Sequence, residues 1–258
     1  MVTRREFGLI GRGISHSFSA EFFSGKFSAE NINAEYRPFD LPSLDLFPNL
    51  IRENPSLAGL NVTSPYKREI IPYLDSLSDE AVGLKAVNVI KFIKSAGGDT
   101  ILAGHNSDAE GFRATLRNLP LPAQGDTAAM ILGTGGAASA VAFALRQMDI
   151  PFVFVSRNPE SFQGSFDTVA IGYREAAKAL DNHNLIINAT PAGMWPHTES
   201  LPPLNLEKIG RNHICYDLIY NPRETLFLRE TGRRGAYTVN GMQMLVNQAE
   251  LSWKIWNS

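Results

Sequence analysis

The chain has 258 residues, 44% of them hydrophobic and 19% charged, enough apolar material for one large core or two smaller ones. A formal net charge of −2 carries no nucleic-acid footprint, and no apolar run is long enough to span a bilayer. The apolar stretch after the basic start MVTRREF is too short for a secretion signal, and a single cysteine, Cys215, cannot form an internal disulfide, so a cytoplasmic protein with a buried core thiol is expected. In chain order, the pattern predicts a strand over Glu6–Ile10, a helix over Ser17–Ser28, a strand over Ala34–Phe39 and a helix over Ser43–Glu53. A strand over Leu57–Val62 and a helical segment over Lys67–Leu74 follow, then a β-hairpin of Val87–Ile93 and Thr100–His105 that turns at Ser95–Gly98. A helix over Asp108–Leu119 opens the second half, after which Pro120, Pro122 and Gly125 punctuate a loop. Strands are expected at 128–132, 152–156, 185–189, 213–218 and 236–239, separated by helices, hence a parallel right-handed α/β sheet. An amphipathic helix over Gly241–Trp256 closes the chain.

The most informative segment is AAMILGTGGAASAVAFALRQ, from Ala128 to Gln147. A short apolar strand runs into Gly133, Gly135 and Ala138 on the spacing G-x-G-x-x-G/A, and an alanine-rich helix follows. Gly133 permits a tight turn, Gly135 lets a pyrophosphate approach the backbone, and Ala138 is small enough for close helix–strand packing. The helix start offers free N–H groups and a positive dipole end to phosphates. The next strand ends in Ser156-Arg157-Asn158, where an NAD-binding fold usually places a carboxylate on the ribose 2′-OH. A guanidinium there suits a 2′-phosphate, so NADP is expected over NAD; the plainer reading is a solvated loop arginine.

Polar clusters gather at predicted strand ends. In GRGISHSFSA, Ser17 and Ser19 lie where a strand gives way to a helix; either could cap it, or the two together could hold a carboxylate. In GLNVTSPYK, Asn61 and Thr63 point to one face and Lys67 emerges after the Ser64-Pro65 break, as a solvated lysine or as a proton donor. AVNV places Asn88 in an apolar strand, and GHNSDAEG places Asp108 where it could cap a helix or pair with Lys67 in a cleft. In the second half, the turn NATPAGM, containing Thr190, and the strand end YDLIY, containing Leu218 and Tyr220, fall at the sheet edge where ligands gather. The closing helix could cross back to the first half and bring polar residues with it.

Taken in order, GRGISHSFS, GLNVTSPYK, AVNV, GHNSDAEG, LGTGGAA, VSRN, NATPAGM, YDLIYNP and GMQMLVNQAELSW resemble the shikimate dehydrogenase family nearly end to end. The resemblance implies an N-terminal α/β substrate domain over 1–107, rejoined by the helix 241–258, and a C-terminal Rossmann domain over 108–240. It implies reduction of 3-dehydroshikimate to shikimate with NADPH, within aromatic amino-acid biosynthesis, by a monomer or homodimer with no metal. Carried over by position, Ser17 and Ser19 would bind the substrate carboxylate, while Asn61, Thr63, Asn88, Tyr220 and Gln248 would help hold the carboxylate and ring hydroxyls. Lys67 and Asp108 would be catalytic. Gly133, Thr134, Gly135, Gly136 and Ala137, with Ser156, Arg157, Asn158, Thr190, Leu218 and Gly241, would line NADP. The chain departs from the family's usual pattern at Gly13 and Ala20, which replace prolines, and at Ser107-Asp108-Ala109. It departs again at Ser156 and Asn158, and at Ser161 where a second arginine is common. Two other readings stand beside this one. They are a quinate/shikimate dehydrogenase using NAD(P), and a non-catalytic NADP- or shikimate-binding sensor, which would have no need of a proton donor such as Lys67.

Overall fold

A computed structural model describes residues 4–14, 18–95, 97–122, 125–162, 166 and 168–258. The chain forms two compact units, one made of the described residues up to Ser107 together with Gln248–Ser258, the other of those from Asp108 to Asn247.

The first unit begins with β1 (Arg5–Gly11), α1 (Phe18–Ala29), β2 (Ala34–Asp40), α2 (Phe47–Glu53) and β3 (Leu57–Val62). It continues through β4 (Ser76–Leu77), α3 (Asp79–Leu84), β5 (Val89–Lys94) and β6 (Thr100–His105), in a sheet of order β2-β1-β3-β5-β6-β4. β1 lies parallel to both β2 and β3, whereas β3–β5 and the expected hairpin β5–β6 are antiparallel. Side chains alternate across the sheet. Phe7 and Leu9 of β1 join a cluster with Phe23 and Phe27 of α1, Tyr36 of β2 and Trp256, while Ile10 joins Leu60, Val62, Tyr66 and Phe47 in another. Gly59 leaves room for the Trp256 ring, whose Nε1 donates to the Ile90 carbonyl at 3.1 Å. The helix expected over Ser43–Glu53 opens as a 3₁₀ turn over Leu44–Leu46, capped by Ser43, and becomes α-helical only as α2, which carries Pro48 in its first turn.

Lys67–Leu74 departs from the helical expectation. It closes as successive turns and a 3₁₀ turn over Ile71–Tyr73. The Lys67 carbonyl accepts from Val87 N at 2.7 Å, and Ile71 N reaches Arg68 instead. Pro72 then lacks the N–H that an α-helix through Leu74 requires.

The second unit contains α4 (Asp108–Leu116), β7 (Ala129–Leu132), α5 (Gly136–Gln147), β8 (Phe152–Ser156), β9 (Ala170–Gly172) and α6 (Tyr173–Ala179). It continues with β10 (Leu185–Asn188), β11 (Ile214–Asp217), α7 (Leu226–Arg233) and β12 (Tyr237–Val239). The final helix α8 (Met242–Asn257) starts in this unit and belongs to the first from Gln248 onward. All neighbouring strands in the sheet pair in parallel, in the order β12-β11-β10-β7-β8-β9. The chain runs outward from β7 through β8 to β9, then returns to place β10 on the other side of β7. That reversal is the topological switch point of a doubly wound sheet. β7, β10 and β11 are buried along their whole length, as strands covered on both faces must be. Cys215 lies wholly buried in β11, and burial pushes its thiol up to about 12, so it is an inert core residue.

Candidate active site: a glycine cradle and a polar cluster

The switch point carries the glycine turn. Gly133 leaves β7 with φ +105°, a conformation that L side chains rarely adopt. A Cβ there would lie 3.1 Å from Thr190 Cγ2 and 3.2 Å from the Ala189 carbonyl, so glycine lets the turn after β7 close against the turn after β10. Backbone bonds tie this edge together: Gly133 N to Val155 O at 2.8 Å, Ala189 N to Leu132 O at 2.9 Å and Leu218 N to Asn188 O at 3.0 Å. Gly135 and Gly136 differ from Gly133 in that nothing lies within 4 Å of a Cβ at either, and Thr134–Ala137 are exposed. Ala138 is fully buried, where α5 packs closely. The N-cap of α5 is Gly135, which has no side chain to cap with, so the first-turn N–H groups remain open to an anion.

One strand over, β8 ends in the loop of Ser156, Arg157 and Asn158. Asn158 N donates to Ser156 Oγ at 3.1 Å, which folds the loop back and leaves Arg157 exposed. The Arg157 charge also acts on the half-buried Tyr173 phenol, opposing the upward push of burial. On the other side of the switch point, Gly241 packs against the turn after β11, where a Cβ would lie only 2.0 Å from the Leu218 carbonyl oxygen. Thr190, Leu218 and Gly241 therefore border the same edge as the glycine turn.

A network absent from the sequence expectations holds that edge in shape. Asp217, wholly buried at the end of β11, accepts from Asn188 Nδ2 at 3.1 Å, Ile219 N at 3.0 Å and Thr225 Oγ1 at 2.6 Å. Asn188 Oδ1 in turn accepts from Thr190 N at 3.0 Å and Thr190 Oγ1 at 2.6 Å. Burial pushes the Asp217 carboxyl up to about 6 despite these three donors.

In the first unit, two of the expected substrate residues, Asn61 and Asn88, meet at the exit of β3, with the Gln248 backbone linked to them through Ser252. Asn61 Nδ2 donates to the Asn88 carbonyl at 3.2 Å and to Ser252 Oγ at 2.8 Å, and Ser252 Oγ donates to the Gln248 carbonyl at 2.9 Å. Val62 N donates to the same Asn88 carbonyl at 2.9 Å. The Asn88 side chain accepts from Ser107 N at 2.8 Å and donates to Ser107 Oγ at 3.1 Å. Thr63 N bonds the Ile10 carbonyl at 2.9 Å, and Lys67 follows four residues later in the turn segment held by Val87. Ser19 sits in the first turn of α1 beside the Tyr36 hydroxyl. Ser17 lies outside the described residues. Asp108, the first residue of α4, and the exposed Tyr220 belong to the second unit. Tyr36 and Ser252 carry no motif of their own: each lies in a stretch of mixed polarity, and each meets Asn61, a partner distant in sequence.

A parallel sheet with its glycine turn and open helix start at the switch point makes the second unit a dinucleotide-binding domain of Rossmann type. Residues 9–90 of the first unit match a family model described as the shikimate dehydrogenase substrate binding domain. The chain is 33% identical over 268 residues to a curated shikimate dehydrogenase (NADP(+)) of Caldanaerobacter subterraneus subsp. tengcongensis, covering 98% of this chain and 92% of that one. It is also similar to a crystal structure of shikimate 5-dehydrogenase from Thermus thermophilus in complex with NADP(H) and shikimate, with TM-score 0.84 and 30% identity over 98% of this chain and 93% of that one. A quinate dehydrogenase from Corynebacterium glutamicum in complex with NAD is similar at TM-score 0.85 and 26% identity, over 98% and 93% of the two chains. The chain belongs to the shikimate dehydrogenase family. No helix among the described residues is long and apolar enough to cross a membrane.

Proposed function

We propose that the chain reduces 3-dehydroshikimate to shikimate, reversibly and with NADPH, as an NADP-dependent shikimate dehydrogenase of the shikimate pathway. The observation that carries this reading is likeness to curated enzymes of that activity over 98% of the chain, spanning both the substrate-binding unit and the glycine turn. The cofactor fits what is present. The open cradle at Gly133–Ala137 and the uncapped start of α5 would hold a pyrophosphate, and Ser156, Arg157 and Asn158 would hold a 2′-phosphate. Thr190, Leu218 and Gly241 would border the remainder. When bound, NADPH supplies the hydride.

The chain's own residues handle binding and the proton. Lys67, as an ammonium, stabilises negative charge developing on the reacting oxygen and donates its proton there, accepting it back in the oxidation direction. Asp108 acts with it as the carboxylate of the catalytic machinery. Ser17 and Ser19 bind the substrate carboxylate; Asn61, Thr63, Asn88, Tyr220 and Gln248 help hold the carboxylate and ring hydroxyls. The enzyme works in the cytoplasm as a monomer or homodimer. A quinate- and NAD-linked activity has the structural likeness to quinate dehydrogenase in its favour. Against it stands Arg157, where an NAD enzyme would carry an acidic strand end.

The deciding experiment follows absorbance at 340 nm with shikimate or quinate against NADP or NAD, for the wild type, Lys67→Ala and Arg157→Ala. Shikimate with NADP is expected to give the highest kcat/KM. Lys67→Ala lowers kcat by about 10²–10⁴ with little change in KM, as loss of an interaction made mainly in the transition state requires. Arg157→Ala narrows the preference for NADP. Unchanged turnover in Lys67→Ala removes that residue from the mechanism, and a wild-type preference for NAD removes the cofactor assignment.

A further inference from the structure

Every polar atom of the Asn61 amide is engaged inside the first unit, and the partners dictate which way round the amide stands. Nδ2 faces the Asn88 carbonyl at 3.2 Å and Ser252 Oγ at 2.8 Å; Oδ1 faces the Tyr36 hydroxyl at 2.9 Å. The Asn88 carbonyl has no hydrogen to give. The Ser252 hydroxyl spends its only hydrogen on the Gln248 carbonyl at 2.9 Å. Both are acceptors toward Asn61, so the nitrogen must lie on their side and the oxygen on the side of Tyr36. Both amide hydrogens are then used. One lone pair on Oδ1 remains.

The two side chains that impose this orientation are themselves held. Tyr36 is 6% exposed; its ring stacks on Phe23 at 4.7 Å between centroids and lies 6.4 Å from Trp256. Burial raises the Tyr36 phenol above its ordinary pKa, so it stays protonated and able to donate. Ser252 is 1% exposed, in the part of α8 that belongs to this unit. Asn61 is less buried than either and keeps some accessible surface.

We propose that Tyr36 and Ser252 are positioning residues that lock Asn61 as a hydrogen-bond acceptor, so that a ligand at this point must present a hydroxyl hydrogen. A ligand carrying a carbonyl or carboxylate oxygen there would set two acceptors against each other. Discrimination therefore comes from repulsion as well as from the bond made. The inference rests on the proposed role of Asn61 in substrate binding.

The test measures steady-state kinetics and Tm for the wild type, Asn61→Ala, Tyr36→Phe and Ser252→Ala, with shikimate and with analogues each lacking one ring hydroxyl. Tyr36→Phe is expected to raise KM for shikimate ~3- to 10-fold, the size of one neutral hydrogen bond. Its kcat and its KM for NADP should stay within about twofold, since uniform substrate binding alone is lost. For one deoxy analogue, the difference between Tyr36→Phe and wild type should vanish. If Asn61→Ala leaves KM for shikimate unchanged, the substrate role of Asn61 fails. If Asn61→Ala raises KM while Tyr36→Phe and Ser252→Ala do not, the role stands and the locking is refuted. A Tyr36→Phe protein in which kcat, both KM values and Tm all worsen together would show a merely structural tyrosine. Ser252→Ala, which removes one acceptor and leaves the Asn88 carbonyl, supplies the readout should Tyr36→Phe not fold.

Discussion

Asp217 is a carboxyl that the fold has placed where ionisation is costly. Its three donors compensate only in part, and its pKa stands at about 6 against an ordinary 3.8. The folded chain therefore holds this proton over a range in which the unfolded chain has released it. The stability this carboxyl contributes is fully present below about pH 3.8 and is lost as pH rises through about 6. Asp217→Asn keeps the shape and removes the charge. The free energy of unfolding in urea, variant minus wild type, should climb between pH 4 and 7 by up to ~3 kcal/mol. A difference that is flat across that window would mean the carboxyl is already neutralised or solvated. At this scale the sequence is only partly legible. The motif YDLIYNP marks a strand end at a ligand-binding edge, but the work of Asp217 depends on Asn188, 29 positions away. Tyr36 is less legible still. Its importance lies in Asn61, 25 positions on, and through it Ser252, a further 191. No local pattern encodes such a meeting.

At the scale of elements, two glycines of the cofactor edge do opposite jobs. Gly135 caps α5 with open space around it, whereas Gly241 sits against the Leu218 backbone. Gly135→Ala should therefore leave Tm within about 2 °C while weakening NADP binding at least ~10-fold, because the methyl occupies only the space meant for phosphate. Gly241→Ala must push backbone aside and should cost roughly 2–4 kcal/mol of stability. Thermal melts with and without NADP separate the two outcomes, and equal melting losses would undo the distinction. The elements that could be read in advance are those with strong periodicity or a bounded apolar run: β1, β3, β7, α5, β8, β10 and β11. Lys67–Leu74 misled because a few helix-compatible residues cannot outweigh Pro72 and a carbonyl claimed by Val87. β9 is three residues long and half-buried, too short for any pattern to register, although it completes the sheet beside β8.

For the molecule as a whole, the chain passes from the first unit to the second at Ser107–Asp108 and back again inside α8, at Asn247–Gln248. The second unit is continuous in sequence and the first is not. Ala249, Trp253, Ile255 and Trp256 all pack into the first unit's aromatic cluster with Phe7, Phe23 and Phe27. Removing one buried tryptophan side chain costs about 3–5 kcal/mol, against a total of about 5–15 for a typical domain. A chain ended at Asn247 is therefore expected to lose the first unit's packed state. The second unit, with its sheet and glycine turn complete, should still be protected by NADP. Hydrogen exchange reads both: β1 and β3 amides should exchange fast while β7 and β10 remain slow, and slow exchange in β1 would refute the dependence. The same discontinuity sets a timetable on the ribosome. The first unit's segment ahead of Asp108 is made before the nucleotide-binding unit yet must wait, its aromatic face uncovered, until Gln248–Ser258 has been translated, while the nucleotide-binding unit, begun later, can finish first.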